Sequence, residues 1–340
     1  MQINIKGFVV PKLTERFSHC HDRFSFDKES LRFAISDGVS NSFFPAKWAE
    51  ILTSNFVKNG WSDTFLEECR EEWKNWVVER VNKPDTKNFT RQMYNRQHSA
   101  AATFVGIELA KNEYSVSVIG DSHLFHFGEN NNFKDKSSTN TDFSNFPDYW
   151  DSHKGKDKGD LIKNENRKIE NGDTLILCTD AISKWIIENV DNFENIKEFQ
   201  NINTQIEFEK FIETHRDDNS LENDDTAVLI LNFSGIDIEE IKINEIEITS
   251  INDKINEEKI IPIIINEKID TIEEPLAGID NALPEEILRI EDSSSLYMVI
   301  RNFIDKLIPE KKKVNKQRIL NELEKELPKI LEQYDISKQK

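Results

Sequence analysis

The chain has 340 residues, of which 37% are hydrophobic and 31% charged, and its formal net charge is −19. This apolar content is enough to fill a core, while the negative charge argues against nucleic acid and anionic membranes as partners. No apolar run approaches the roughly 20 residues of a membrane span, and the N-terminus lacks a signal-peptide core. The three cysteines form no Cys-x-x-Cys pair, which leaves no disulfide or zinc framework to predict and fits a cytoplasmic protein.

Alternating apolar stretches predict strands in the first half of the chain, and apolar residues at helical spacing predict helices. The predicted elements, in order, are strands Gln2–Val10, Arg23–Phe26 and Leu31–Ser36, helices Pro45–Asn59 and Ser62–Arg80, and strands Thr103–Leu109, Glu113–Ile119 and Ser122–Phe127. One face of the second helix carries aromatic side chains such as Trp73 and Trp76, which we interpret as core packing.

The stretch Gly128–Asn171 is polar and is predicted to be a long surface insertion. The elements predicted after it are strand Thr174–Thr179, helices Ser183–Asn189 and Asn203–His215, and strand Thr226–Phe233. Strands and helices do not alternate regularly along the chain. This order favours an α+β fold with antiparallel sheets and segregated helices.

The composition changes after Gly235. Residues 235–282 are an Ile/Glu-rich linker or edge strands, and residues 283–340 are predicted to form a C-terminal α-helical extension of two amphipathic helices. Pro309 ends the first helix and Pro328 breaks or kinks the second. The predicted domain organisation is therefore 1–234, 235–282 and 283–340.

Acidic residues stand at the ends of the predicted core strands. Asp37 and Gly38 follow one strand, Asp121 lies in a hairpin, Asp180 follows a buried-type strand, and Asp224-Asp225 precede the last strand. A lone aspartate in such a place is usually a turn former or a helix cap. Several on neighbouring strands would bring carboxylates together and raise their pKa values, a cost that a hard divalent cation removes. The pattern therefore predicts a carboxylate-rich Mg²⁺ or Mn²⁺ centre.

The order of these motifs resembles the PP2C (PPM) family of metal-dependent serine/threonine phosphatases, in its bacterial type. The motifs are Ser36-Asp37-Gly38, Gly120-Asp121-Ser122, Thr179-Asp180-Ala181 and Asn223-Asp224-Asp225-Thr226, with the segment Ser99–Thr103 before the central strands. The resemblance covers about residues 1–233. It implies a four-layer α/β/β/α sandwich of two antiparallel sheets flanked by helices.

The resemblance also implies the ligands of a dinuclear centre. Asp37 would bridge both ions, the Gly38 carbonyl would bind one of them, and Asp180 and Asp224 would complete the other. Asp225 is the alternative to Asp224 if the register differs by one residue.

Other roles follow from the same resemblance. Asp22 would hold metal-bound water, and Asp121 would belong to a third, weaker metal site. Arg16 would grip the phosphate, with Arg23 as the fallback. Lys184 stands where the family often has a further aspartate of the third site, so its ammonium either substitutes partly for that cation or is a solvated helix residue.

The implied function is hydrolysis of phosphoserine and phosphothreonine on proteins by a water activated at two Mn²⁺ or Mg²⁺ ions. His19 and His21 are candidate proton donors, although a surface or hydrogen-bonded histidine is the commoner case. Two alternatives stay open: a pseudophosphatase that acts as a binding or regulatory module, and a small-molecule phosphohydrolase. The C-terminal helices either dock a partner, such as a cognate protein kinase, or pack on the phosphatase domain itself.

Overall fold

The computed structural model describes residues 1–140, 143, 147–235 and 241–256. The predicted C-terminal helices, and most of the predicted linker, lie outside these residues. The chain divides into two compact units: Met1–Glu15 with His19–Ile251, and Arg16–Ser18 with the chain from Asn252 onward. In the second unit the Lys254 ammonium lies over the Phe17 ring, 5.6 Å from its centroid.

Thirteen strands are described in the first unit. They are β1 Gln2–Val10, β2 Arg23–Asp27, β3 Arg32–Ser36, β4 Ala101–Ala102, β5 Phe104–Ala110, β6 Glu113–Ile119, β7 His123–Phe127, β8 Phe133–Ser137, β9 Trp150–Asp151, β10 Ile162–Lys168, β11 Thr174–Cys178, β12 Thr226–Ser234 and β13 Lys242–Ile248. One sheet has the order β13-β1-β12-β11-β7-β8 and a second has β10-β6-β5-β3-β2, while β4 and β9 form a small pair. All neighbours are antiparallel except β1 and β13, which are parallel.

Helices cover the outer faces of the two large sheets. They are α1 Pro45–Asn59, α2 Phe65–Asn82, α3 Asn88–Asn95, α4 Asp180–Asn189, α5 Phe193–Gln200 and α6 Gln205–Asp217. Apolar side chains of α1 and α2 share one core with the second sheet, and those of α4, α5 and α6 share another with the first. The predicted four-layer α+β sandwich is therefore confirmed. No helix among the described residues is long and apolar enough to cross a membrane.

The two sheets approach each other closely at Gly7 of β1. A Cβ atom added there would lie 2.9 Å from the Phe24 ring of the opposite sheet and 3.0 Å from Leu229 of its own sheet. Leu229 is fully buried, whereas its neighbours Val228 and Ile230 belong to the core under the helices. Successive side chains of β12 point to opposite faces of the sheet, so they fill both the space between the sheets and the space under α4 and α6.

The polar stretch Gly128–Asn171 is not the simple surface insertion that its composition predicts. It supplies β8 and β10, which extend the two large sheets at their edges, and β9, which pairs with β4. Edge strands are exposed on most sides, so they carry few apolar residues and read as loops. Trp150 departs from this pattern, because it is buried in the core that α1 and α2 share with the second sheet.

Candidate metal centre

The acidic motifs all meet at one end of the sandwich. Ser36 at the end of β3 pairs with Arg23 at the start of β2, and the end of β11 pairs with the starts of β12 and β7. Asp22, Asp37, Asp121, Asp180, Asp224 and Asp225 each flank one of these strand ends. The acidic cluster therefore draws on both sheets.

The backbone around Asp37 is held by Thr103 at the start of the neighbouring strand. The Asp37 amide donates to Thr103 Oγ1 at 3.2 Å, and the Thr103 amide donates to the Asp37 carbonyl at 2.9 Å. Gly38, the next residue, packs against the first residue of α1, where a Cβ atom on Gly38 would lie 2.7 Å from the Pro45 carbonyl carbon. Only glycine fits this approach, so Gly38 is required by packing whatever its carbonyl does.

Asp180 is fixed by the turn from β11 into α4. Thr179 donates its amide to the Ala227 carbonyl at 3.2 Å and accepts from the Ala227 amide at 3.0 Å through Oγ1. Asp180 starts the helix, and its carboxylate accepts from the Ala181 amide at 2.7 Å. The positive end of the helix dipole favours a carboxylate in this position.

Asp22 is buried in the cluster, and Asp37 is half-buried. Neither carboxylate oxygen of Asp22 accepts a hydrogen bond of acceptable geometry from the described residues. Burial, followed by the charge of Asp37, raises the pKa of Asp22 well above its ordinary value. Burial, followed by the charges of Asp121 and Asp224, raises the pKa of Asp37 to about 7. The Asp37 charge thus makes ionisation of Asp22 less favourable, as expected for neighbouring carboxylates.

Asp180 belongs to the same electrostatic cluster. Burial and then the charges of Asp37 and Asp224 raise its pKa well above the ordinary value, and the Ala181 amide offsets only part of that shift. Carboxylates from both sheets thus repel one another at this end of the sandwich. Such mutual repulsion is the cost that a bound cation would remove.

Asp224 and Asp225 face different surroundings although they are adjacent. Asp225 is 2% exposed, and its carboxylate accepts from the Lys12 amide at 3.0 Å and the His21 amide at 2.8 Å. Burial raises the pKa of Asp225, and these backbone donors counteract the shift. The Asp224 side chain is 42% exposed and influences the pKa values of both Asp37 and Asp180. Asp225 thus ties two chain segments together, while Asp224 remains accessible.

Lys12 brings a positive charge into the cluster. Its Nζ atom lies 2.9 Å from Asp224 Oδ1 and 3.2 Å from Ser40 Oγ. Burial alone lowers the pKa of Lys12, but the hydrogen bond to Asp224 and the nearby carboxylates outweigh it and raise the pKa overall. Sequence reasoning missed Lys12; its position directly after β1, whose end pairs with the start of β12, is the signal that could have found it.

Asp121 lies in the tight turn between β6 and β7. Its side chain is 4% exposed, and its charge is the first among those that raise the pKa of Asp37. The following His123 donates from Nδ1 to the Asp121 carbonyl at 2.7 Å and stacks on Phe125. Burial lowers the pKa of His123 to about 4, so this histidine is a neutral core residue at physiological pH.

The other candidate residues have contacts of their own. Arg23 donates to the Cys20 and Asp22 carbonyls at 2.8 and 2.7 Å, so it braces the segment that carries Asp22. His21 is half-buried, and burial lowers its pKa. Lys184 pairs with Glu222 rather than with a carboxylate of the cluster. Arg16 belongs to the second unit, so its role in gripping phosphate stays a prediction.

The donor set fits a hard divalent cation, because it consists of carboxylate oxygens that repel one another. The cysteines near these motifs are no alternative ligands, since burial raises the pKa of both Cys20 and Cys178. Among the described residues, no three His, Cys, Asp or Glu side chains converge closely enough to share one ion as they stand.

No protein-family model matches the chain, and no curated protein matches it in sequence. Several solved structures match it in fold. The photosystem II phosphatase PBCP is 14% identical with a TM-score of 0.47, covering 68% of this chain and 99% of PBCP. PppA, a regulatory component of T6SS in Pseudomonas aeruginosa, is 13% identical with a TM-score of 0.45 over 68% and 99% of the two chains.

The Mycobacterium tuberculosis serine/threonine phosphatase PstP/Ppp is 12% identical with a TM-score of 0.44, again over 68% of this chain and 99% of that one. The catalytic domain of PstP in complex with 2 manganese ions matches with the same values. These matches describe a similarity of fold.

Proposed function

We propose that this protein is a metal-dependent phosphatase that hydrolyses phosphoserine and phosphothreonine on proteins. The observation that carries the proposal is the convergence of acidic motifs from both sheets at one end of the sandwich. There the carboxylates of Asp22, Asp37 and Asp180 have strongly raised pKa values. Raised pKa values in a cluster of this kind are typical of functional sites.

Asp37, Asp180 and Asp224, with the Gly38 carbonyl, are the groups that would hold two Mn²⁺ or Mg²⁺ ions. Two such ions, when bound, would lower the pKa of a water and neutralise phosphoryl oxygens. Asp22 would orient water from its buried position, and Arg16 would bind the phosphate with a planar, multidentate guanidinium. Asp121 remains the candidate for a third, weaker site.

Asp225 has a positioning role in this proposal. Its carboxylate is already engaged by the Lys12 and His21 amides, which leaves Asp224 as the better ligand. The hydrogen bond from the His21 amide also fixes the segment immediately before Asp22. Asp225 would thereby hold the water-orienting carboxylate in place.

A pseudophosphatase that serves as a binding module is the second candidate. The Lys12–Asp224 ion pair favours it, because an ammonium already compensates one of the carboxylates. The retained aspartates favour the enzyme. A kinase partner bound through residues 283–340 remains a prediction, as does the cytoplasmic location.

The test is Mn²⁺- or Mg²⁺-dependent hydrolysis of a phosphothreonine peptide by the wild type and by Asp37→Asn, Asp180→Asn and Asp224→Asn. We expect each variant to lose activity by at least about 100-fold, because even residues that only support metal ligands are worth 10- to 100-fold. Asp217→Asn, at the exposed end of α6, is the matched control and should keep full activity.

Circular dichroism on each variant checks that the fold is intact. A wild type that is inactive with both ions would favour the binding module. A wild type that hydrolyses p-nitrophenyl phosphate and nucleotides but no phosphopeptide would favour the small-molecule phosphohydrolase.

A further inference from the structure

Lys12 is held in the carboxylate cluster by its backbone as well as by its side chain. The Lys12 amide donates to Asp225 Oδ1 at 3.0 Å, and the preceding Pro11 carbonyl accepts from Arg216 Nη1 at 3.0 Å. Arg216 also donates from Nη2 to the Asp224 carbonyl at 2.5 Å. The backbones of Lys12 and Asp224 are therefore fixed relative to each other.

The Lys12 side chain joins the two halves of the centre. Its ammonium contacts the Asp224 carboxylate, before β12 of one sheet, and the Ser40 hydroxyl, in the loop that follows Asp37 and Gly38 of the other. The side chain is 23% exposed, so water screens its charge only in part. It therefore acts as a positive charge placed among carboxylates of both sheets.

An ammonium and a divalent cation cannot both contact the Asp224 carboxylate favourably. The Asp224 oxygen that contacts Lys12 at 2.9 Å is an oxygen of a proposed metal ligand. Two positive charges at hydrogen-bond distance from one carboxylate repel each other, so binding of one weakens binding of the other.

We propose that Lys12 is an internal counter-ion of the carboxylate cluster, which a divalent cation must displace from Asp224 in order to bind. Lys12 would then set the metal affinity of this protein and stabilise its metal-free state. This role rests on the proposed function only in taking Asp224 as a metal ligand.

Isothermal titration calorimetry with Mn²⁺ tests the proposal on the full chain with Lys12→Met, which removes the charge and keeps much of the apolar stem. We expect Mn²⁺ to bind Lys12→Met about two- to fivefold more tightly than the wild type, the upper part of the range that exposed ion pairs give. Lys12→Arg, which keeps the charge, should bind Mn²⁺ less tightly than Lys12→Met.

Lys47→Met is the matched control. The Lys47 ammonium pairs with Glu50 at 2.8 Å, and the two side chains are 21% and 44% exposed, against 23% and 42% for Lys12 and Asp224. Because Lys47 lies outside the cluster, its replacement should leave the Mn²⁺ affinity unchanged.

Thermal melting gives a second readout that does not depend on activity. In chelator, Lys12→Met should melt below the wild type, and the rise in melting temperature on adding Mn²⁺ should be larger for Lys12→Met. Equal Mn²⁺ affinities for the wild type and Lys12→Met would overturn the proposed role of Lys12 but leave the proposed phosphatase function standing. Absence of Mn²⁺ binding in the wild type and in Lys12→Met would overturn both proposals. Mn²⁺ binding without hydrolysis would overturn the phosphatase and leave Lys12 its role.

Discussion

Asp37 shows how burial at a single residue couples the centre to folding. Its pKa is raised from 3.8 to about 7, first by burial and then by the charges of neighbouring carboxylates. An aspartate in an unfolded chain titrates near pH 4. Between these values the folded state holds the proton that the unfolded state has released. Asp37 therefore lowers the stability of the metal-free protein progressively as the pH rises from about 4 to 7.

The corresponding prediction concerns Asp37→Asn in the presence of chelator. The asparagine does not titrate, so the variant should be more stable than the wild type. Its advantage should grow between pH 5 and pH 7 by on the order of 2 kcal/mol and then level off. Urea denaturation at several pH values measures this difference. Asp217→Asn should give a constant difference, and a constant difference for Asp37→Asn too would contradict the burial argument.

For single residues, the sequence predicts which aspartates lie near one another, but not which role each of them has. The strand-end positions of Asp37, Asp180 and Asp224 follow from local pattern. The choice between Asp224 and Asp225 depends on two backbone amides, of Lys12 and His21, that lie more than 200 positions away in the chain. No local signal contains such a long-range contact.

Among the elements, α6 has the clearest local signal at its start. Thr204 accepts from the Glu207 amide at 3.2 Å, and the Glu207 carboxylate accepts from the Thr204 amide at 3.1 Å, which together form a capping box. The helix packs on β1 through Phe208, which stacks on Phe8 with ring centroids 5.2 Å apart. The start of α6 is therefore determined by its capping box, and its orientation is determined by packing in the core.

We predict that Thr204→Ala lowers the free energy of unfolding by about 1 kcal/mol, because the cap hydrogen bond is lost. Thr214→Ala in the same helix is the control. Thr214 donates its hydroxyl to the Lys210 carbonyl at 2.8 Å in the helix interior, where alanine is the better helix former, so little change is expected. Urea denaturation compares the two variants, and equal effects would argue against the capping box.

The elements that the sequence missed have physical reasons in common. Helix α3 has no buried residue, and α5 buries only Ile196 and Phe199, so neither shows an extended apolar face. In the polar stretch that forms β8 and β10, the edge strands read as loops for the same lack of buried side chains. Helix α1, by contrast, was predicted over Pro45–Asn59 with its observed bounds, because proline marks its first turn and its buried face is continuous.

For the whole molecule, the boundary predicted at residue 234 cuts into the folded unit. Strand β13, residues 242–248, pairs with β1 from Gln2 to Gly7, and the amides of Lys242 and Thr249 donate to the Met1 and Gly7 carbonyls, both at 2.8 Å. Glu247 also accepts from the Gln205 amide at the start of α6 at 3.1 Å. The predicted alternatives for this segment were a linker or edge strands, and 242–248 form an edge strand.

We therefore predict that residues 1–256 are more stable than residues 1–234. Loss of β13 leaves the edge of β1 unpaired and should lower the melting temperature by roughly 5 °C. In a domain of this size, each kcal/mol lost from the free energy of unfolding lowers the melting temperature by about 2–4 °C. Differential scanning calorimetry of the two fragments makes the comparison, with the full chain as reference. Equal melting temperatures would mean that β13 contributes nothing to the sandwich.

The close approach of the two sheets at Gly7 has a consequence for the end of the sandwich that carries the acidic cluster. Asp37 leaves one sheet, and Asp180 and Asp224 flank strands of the other, so the distance between these carboxylates is set by the thickness of the core between the sheets. A larger side chain wedged into that core would separate the two halves of the centre without touching either. The volume of the side chains between the sheets thus sets the distance between the carboxylates. Natural selection for the activity of this protein would therefore also act on residues that are buried between its sheets.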